Sequence, residues 1–128
     1  MVQQVTKGIK ISVETSYEGA FNKNRSIHYA FVYQITIKNE SKELVQLLTR
    51  EWQILDALNH AETVIGEGVI GQKPIIKPGD SYSYSSGCIL TSPYGAMHGY
   101  YNMINLTTST FFKVTIPSFK LNATFALN

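Results

Sequence analysis

Residues 28–38 alternate without interruption: Tyr29, Phe31, Tyr33, Ile35 and Ile37 fall on one face, Ala30, Val32, Gln34, Thr36 and Lys38 on the other. A period of two is the signature of a pleated strand, and a helix does not produce it. Residues 7–17 repeat the pattern, with Ile9, Ile11, Val13, Thr15 and Tyr17 opposed to Lys10, Ser12, Glu14 and Ser16, and read as a half-solvated strand. The remaining pattern follows suit. Residues 18–26 are polar, carry Gly19, Asn22 and Asn24, and read as a loop. Residues 39–42 read as a turn. Residues 44–58 admit a helix by composition, but a strand with a bulge is favoured, because a lone helix among strands needs another face to pack on. Asn59 and His60 then make a turn into a strand over 62–65.

The stretch 65–101 gathers most of the glycines and three of the four prolines. Val69, Ile70 and residues 74–76 are short apolar pieces expected along a sheet edge, where Pro74 is tolerated. Pro78 and Gly79 form a turn, since proline fixes φ and glycine accepts φ > 0. A strand over 80–90 broken at Gly87, a loop over 91–96, a strand over 97–106 and a polar turn over 107–110 follow. Residues 111–116 form a strand ended by Pro117, and Phe119, Leu121, Phe125 and Leu127 form a terminal apolar segment. Seven to nine short antiparallel strands with no crossover helix point to an all-β sandwich or barrel, and 128 residues to one domain over 1–128. Eight tyrosines and six phenylalanines suit half-buried pleated surface.

With 11 basic and 9 acidic residues, the net charge of +2 offers no strong attraction for phosphate. Cys88 is the single cysteine, which excludes an internal disulfide and suits a reducing compartment. The N-terminus has no apolar signal core, and no apolar run approaches the ~20 residues of a membrane span. A soluble cytoplasmic protein without membrane insertion is expected.

Gly66, Gly68 and Gly71 spell G-x-G-x-x-G. A dinucleotide fingerprint needs a helix immediately after that turn, and Pro74 stands in its way. The glycines are expected to serve bulges and close sheet crossings, with a phosphate held by a glycine loop outside a Rossmann fold as the rival. His28, His60 and His98, with Asp56, Glu62, Glu67 and Asp80, are the available metal ligands but form no compact motif. Cys88 as nucleophile would need a base, for which His98 is nearest along the chain. The commoner role is a small core hydrophobe. Ser85-Ser86-Gly87 lacks the nucleophile-elbow pattern. Arg50 and Trp52 alternate onto one face, either as a core indole with a snorkelling arginine or as a contact surface for a partner. Tyr82, Tyr84, Tyr100 and Tyr101 resemble a stacking platform in composition only, so nucleic acid is not expected.

An ordered set of motifs spans the chain. It runs from Arg50-x-Trp52-x-Ile54-x-Asp56 through Val64-x-Gly66-x-Gly68-Val69-Ile70-Gly71-Gln72-x-Pro74, Pro78-Gly79 and Tyr84-x-Ser86-Gly87. It continues with Ser92-Pro93-x-Gly95-x-Met97-x-Gly99-x-Tyr101-x-Met103 and closes on Ile116-Pro117-x-Phe119-x-Leu121. The set resembles the bacterial ApaG family over essentially the whole domain. The resemblance implies an immunoglobulin- or fibronectin type III-like β-sandwich in a cytoplasmic, single-domain protein. Similar domains in eukaryotic F-box proteins and a polymerase-interacting protein look like protein-binding modules. The family is associated with cobalt and magnesium efflux, and its glycine motif has been likened to a pyrophosphate loop. The expectation is a non-enzymatic module without cofactor that binds a protein of unknown identity or forms a homodimer. The alternative is a regulatory protein that binds a phosphate, nucleotide or divalent metal through the glycine loop.

Overall fold

A computed structural model of the chain describes residues 1–57 and 61–123. Among them nine strands and no helix occur: β1 (Val2–Thr6), β2 (Ile9–Lys23), β3 (Ser26–Asn39), β4 (Val45–Asp56), β5 (Glu62–Glu67), β6 (Ile75–Ile76), β7 (Ser81–Leu90), β8 (Tyr94–Asn105) and β9 (Thr110–Asn122). All pairings are antiparallel. One sheet has the order β1-β2-β3-β7, the other β5-β4-β8-β9, with β6 paired to β4 beyond β5. Ile9, Ile11, Phe31, Tyr33, Ile35 and Leu90 of the first sheet share one core with Leu47, Trp52, Met97, Tyr101 and Leu121 of the second. This is the immunoglobulin- or fibronectin type III-like sandwich, each sheet turning its alternate apolar residues inward.

Several boundaries differ from the sequence pattern. Residues 18–26 are not a loop: β2 and β3 continue through them to a two-residue turn, where Asn24 and Arg25 have φ of 51° and 64°. Their polarity reflects an exposed ribbon rather than the end of pairing. Pro117 does not end β9, because it lies where the β8–β9 register slips between Met97 and Gly99, and a bulge on an edge strand needs no amide from proline. Gly87 does not break β7, which pairs through it with Val32. β1 adds a strand that has no apolar face of its own to betray it. The expected bulge in β4 is present at Leu48, and the edge piece at Pro74 accepts a bond from the Leu47 amide (3.1 Å) through its carbonyl. The turn expected at Asn59 and His60, and the apolar Phe125 and Leu127, lie outside the described residues.

The Pro78–Gly79 turn has Gly79 at φ 85° and an Asp80 amide donating to the Lys77 carbonyl (3.0 Å), the geometry of a type II turn. It is tied to the end of β3 by Asn39, whose backbone bonds Gly79 and Asp80. The fully buried Asn39 side chain donates to the carbonyls of Glu43 (2.7 Å) and Ile76 (2.9 Å) and accepts from the Ser41 amide (3.0 Å). Truncation strands two buried carbonyls, each costing about 1–3 kcal/mol. Asn39→Ala is therefore expected to lower the unfolding free energy by roughly 2–4 kcal/mol. Urea unfolding monitored by Trp52 fluorescence measures it.

Candidate functional site

The bulge at Leu48 reverses the parity of β4. Before it Val45 and Leu47 face the core, and after it Arg50 and Trp52 do. Arg50 stands opposite Gly66 on β5 and Tyr101 on β8. Its guanidinium lies across Gly66, where an added Cβ would sit 2.7 Å from Cζ. Nη1 donates to the carbonyls of Glu67 (2.9 Å) and Gly68 (2.7 Å). Among the described residues no carboxylate pairs with it, and the one ion pair joins Lys73 to Glu67 at 3.0 Å. Arg50 is thus a half-buried cation with carbonyl acceptors on one side and open donors on the other.

Three amides of the glycine loop are taken up by backbone carbonyls. The Gly68 amide donates to Leu48 O (2.8 Å), and Val69 and Gln72 exchange two backbone bonds of 2.8 and 2.9 Å. Ile70 and Gly71 form the intervening two-residue turn with φ of 47° and 72°, a primed turn of the hairpin type. Gly68 sits at φ 59°, and a Cβ there would meet the Gln72 carbonyl oxygen at 2.2 Å. No helix follows, so the strand–turn–helix context of a dinucleotide fingerprint is missing here.

Between β5 and β7, which border the two sheets on the same side, lies a cleft of about 320 Å³. Tyr33, Trp52 and Val64 form its apolar floor, Arg50 lies at one end, Glu62 lines it on β5, and residues 86–89 of β7 form one wall. Trp52 does share a face with Arg50, but that face is the interior. The indole is 2% exposed and packs on Tyr33 (5.4 Å) and edge-on to Phe119 (5.8 Å). It is a core ring and not an exposed contact residue, whereas Arg50 reaches the cleft.

The other candidates separate. Cys88 is buried on β7, and burial, with the charges of Glu62 and Asp56, pushes its thiol up to about 11. A neutral thiol is a poor nucleophile. His98 faces Gln53 in the β4–β8 register, and His28 bonds the Ser26 carbonyl (3.2 Å) and stacks on Phe21. Asp56 accepts the Thr91 amide and hydroxyl (both 2.7 Å) and the hydroxyl of Ser92, fastening the end of β4 to the β7–β8 loop. No group of three or more His, Cys, Asp or Glu able to hold a metal occurs among the described residues, and His60 lies outside them. The tyrosines form no platform. Tyr84 and Tyr101 meet inside the sandwich, hydroxyl to hydroxyl at 2.5 Å, whereas Tyr100 lies on the outer face under Lys113 Nζ (4.2 Å). Burial raises both interior phenols above the ordinary tyrosine range.

The ApaG domain profile matches residues 20–105. The chain belongs to the ApaG family. It is 43% identical over 122 residues to Protein ApaG of Brucella canis, covering 95% of this chain and 93% of that one. Protein ApaG of Acidithiobacillus ferrooxidans is 42% identical over 123 residues, with 96% of both chains covered. An X-ray structure of the structural-genomics target SoR45 superposes with a TM-score of 0.85 at 36% identity, covering 90% of this chain and 86% of the other. A crystal structure from Bordetella pertussis, titled as an ApaA protein, gives a TM-score of 0.79 at 32% identity, with 89% and 92% covered.

The glycines of this ApaG domain have separable effects. Gly66→Ala confronts the movable end of Arg50, whereas Gly68→Ala confronts a backbone carbonyl at positive φ. Gly68→Ala is expected to cost about 2–4 kcal/mol and Gly66→Ala less. The Gly66→Ala cost should shrink in an Arg50→Ala background, a coupling that a double-mutant cycle by chemical denaturation measures.

A pH dependence follows from the phenols. Tyr84 and Tyr101 bind their protons more tightly folded than unfolded, so their contribution is whole below the ordinary pKa of 10.0 and is lost as pH rises beyond it. Melting temperature should hold from neutral pH to pH ~9 and fall above pH ~10, and the double variant Tyr84→Phe/Tyr101→Phe should flatten that fall.

Proposed function

We propose that this ApaG domain is a non-enzymatic module that binds another protein through the open side of its sandwich, in the cytoplasm. The observation that carries the reading is the pair of free edges at β5 and β7. Among the described residues, β7 makes backbone pairs with β3 and with no strand on its far side. A strand edge presents alternate unpaired N–H and C=O groups, which an extended segment of another chain can complete. Ile65 on β5 and Ile89 on β7 are 70% and 59% exposed, so the edges also offer apolar area. Two copies of the chain pairing edge to edge are one form of this reading.

The high pKa of the Cys88 thiol weighs against nucleophilic chemistry, and the amides of Gly68, Val69 and Gln72, each already given to a backbone carbonyl, weigh against a phosphate cradle. A link to cobalt or magnesium handling would then pass through a partner rather than through ligands of this domain. Affinity capture from the source bacterium, comparing the wild type with a folded Ile89→Lys variant, tests the reading. A defined partner, or a dimer seen by sedimentation, is expected to be retained by the wild type and lost from the variant. Micromolar binding of ATP or diadenosine tetraphosphate by calorimetry, abolished in a folded Gly68→Ala protein, would overturn it.

A further inference from the structure

We infer that the cleft between β5 and β7 takes an extended segment of a partner protein that pairs with the β7 edge and places an acidic side chain on Arg50. The inference rests on the protein-binding reading above and names the segment's chemistry. Three observations meet in one place. First, residues 86–89 line the cleft consecutively, so the backbone of the edge itself forms the wall, and a strand laid along it gains ladder bonds. Second, Arg50 keeps Nη1 on the Glu67 and Gly68 carbonyls, and among the described residues no acceptor takes its remaining N–H groups. A guanidinium fixed on one side and open on the other is preset for a carboxylate, and such charge-assisted bonds are the strong ones. Third, the opposite charge lies at a defined distance. Arg50 pairs with Gly66, and Glu62 stands four residues along β5, about 13 Å away at the rise of a strand.

Four residues is an even spacing, so side chains at i and i+4 of an extended segment point to one side. A segment with Asp or Glu at one of these positions and Lys or Arg at the other answers both ends of the cleft. The residue midway between them faces Trp52 and Val64, the paired residues between the two charges, and an apolar side chain suits it. The order of acid and base along the segment reports its direction relative to β7.

Selection of a displayed library of random linear 12-residue peptides on the purified domain tests this. Enriched peptides are expected to carry an acidic and a basic residue four apart with an apolar residue between. Replacing the acid by its amide in a synthetic copy should weaken binding about tenfold or more, and Arg50→Met should do the same. The peptide-side change leaves the protein untouched, so it holds even if Arg50→Met fails to fold. Bound peptide should slow amide exchange along β7 and leave β1 unchanged. An absence of enriched peptides, binding indifferent to the acid, or protection away from β7 would overturn the inference. Binding of inorganic phosphate at Arg50 in place of the peptide would also overturn it. If a cellular partner is captured equally by wild type and Arg50→Met, this site falls while the protein-binding function stands.

Discussion

Among the described residues, the edges of the two sheets pack most closely on one side. There β1 and β2 pack against β9, and the Thr115 amide donates to the Thr6 hydroxyl (3.3 Å) across the seam. On the other side β5 and β7 bound the sandwich without pairing, and the core reaches the surface as a cleft floored by Tyr33 and Trp52. A two-sheet sandwich has edges it cannot pair internally, and natural chains blunt them with bulges, prolines, charges or covering segments. Here β9 carries a proline bulge and lies against β1, and β6 extends the β5 edge. β7 has none of these devices over its length, only Ser81, Ser83, Ser85, Ser86 and Gly87 among its apolar residues. The asymmetry leaves one side of the sandwich open.

Much of the fold is legible in the chain because burial writes a period of two. Residues 28–38 are β3 almost residue for residue, and the alternation of Met97, Gly99, Tyr101 and Met103 is the inner face of β8. Failures occur where polarity and pairing part company. The β2–β3 ribbon beyond Tyr17 is exposed on both faces, so its residues look like a loop while the ladder continues. β1 is exposed over four of its five residues and owes its place to pairing with β2 and packing on β9. Pro117 looks like a stop until the bulge that absorbs it is known.

The site was legible in its parts and not in its arrangement. Arg50, Trp52 and the three glycines all stand out in the chain, but as two separate features, a basic-aromatic pair and a loop motif. What unites them is register, which is a nonlocal property. The pairing of Arg50 with Gly66 belongs to the β4–β5 register, and the inward facing of Arg50 to the bulge at Leu48, and neither has a residue code strong enough to be counted in advance. The same bulge decides that Trp52 faces inward, so a one-residue difference there would have exposed the indole and buried Glu51 instead.

Arg50 is also a poor choice if folding is the only demand on that position. Gly66 gives up a side chain on a strand, which weakens the strand, in order to leave room for the guanidinium. The cation loses part of its hydration and gains two carbonyl acceptors but no counter-charge among the described residues. An apolar side chain of similar length would cover Trp52 and Tyr101 without that desolvation, and exchanges of this kind are often neutral or stabilising. What an apolar side chain lacks is a set of fixed donors facing an open cleft. On the proposal made for the cleft, the arrangement is accounted for by the segment that enters it rather than by the stability of the sandwich, and Gly66 contributes by leaving room for the guanidinium.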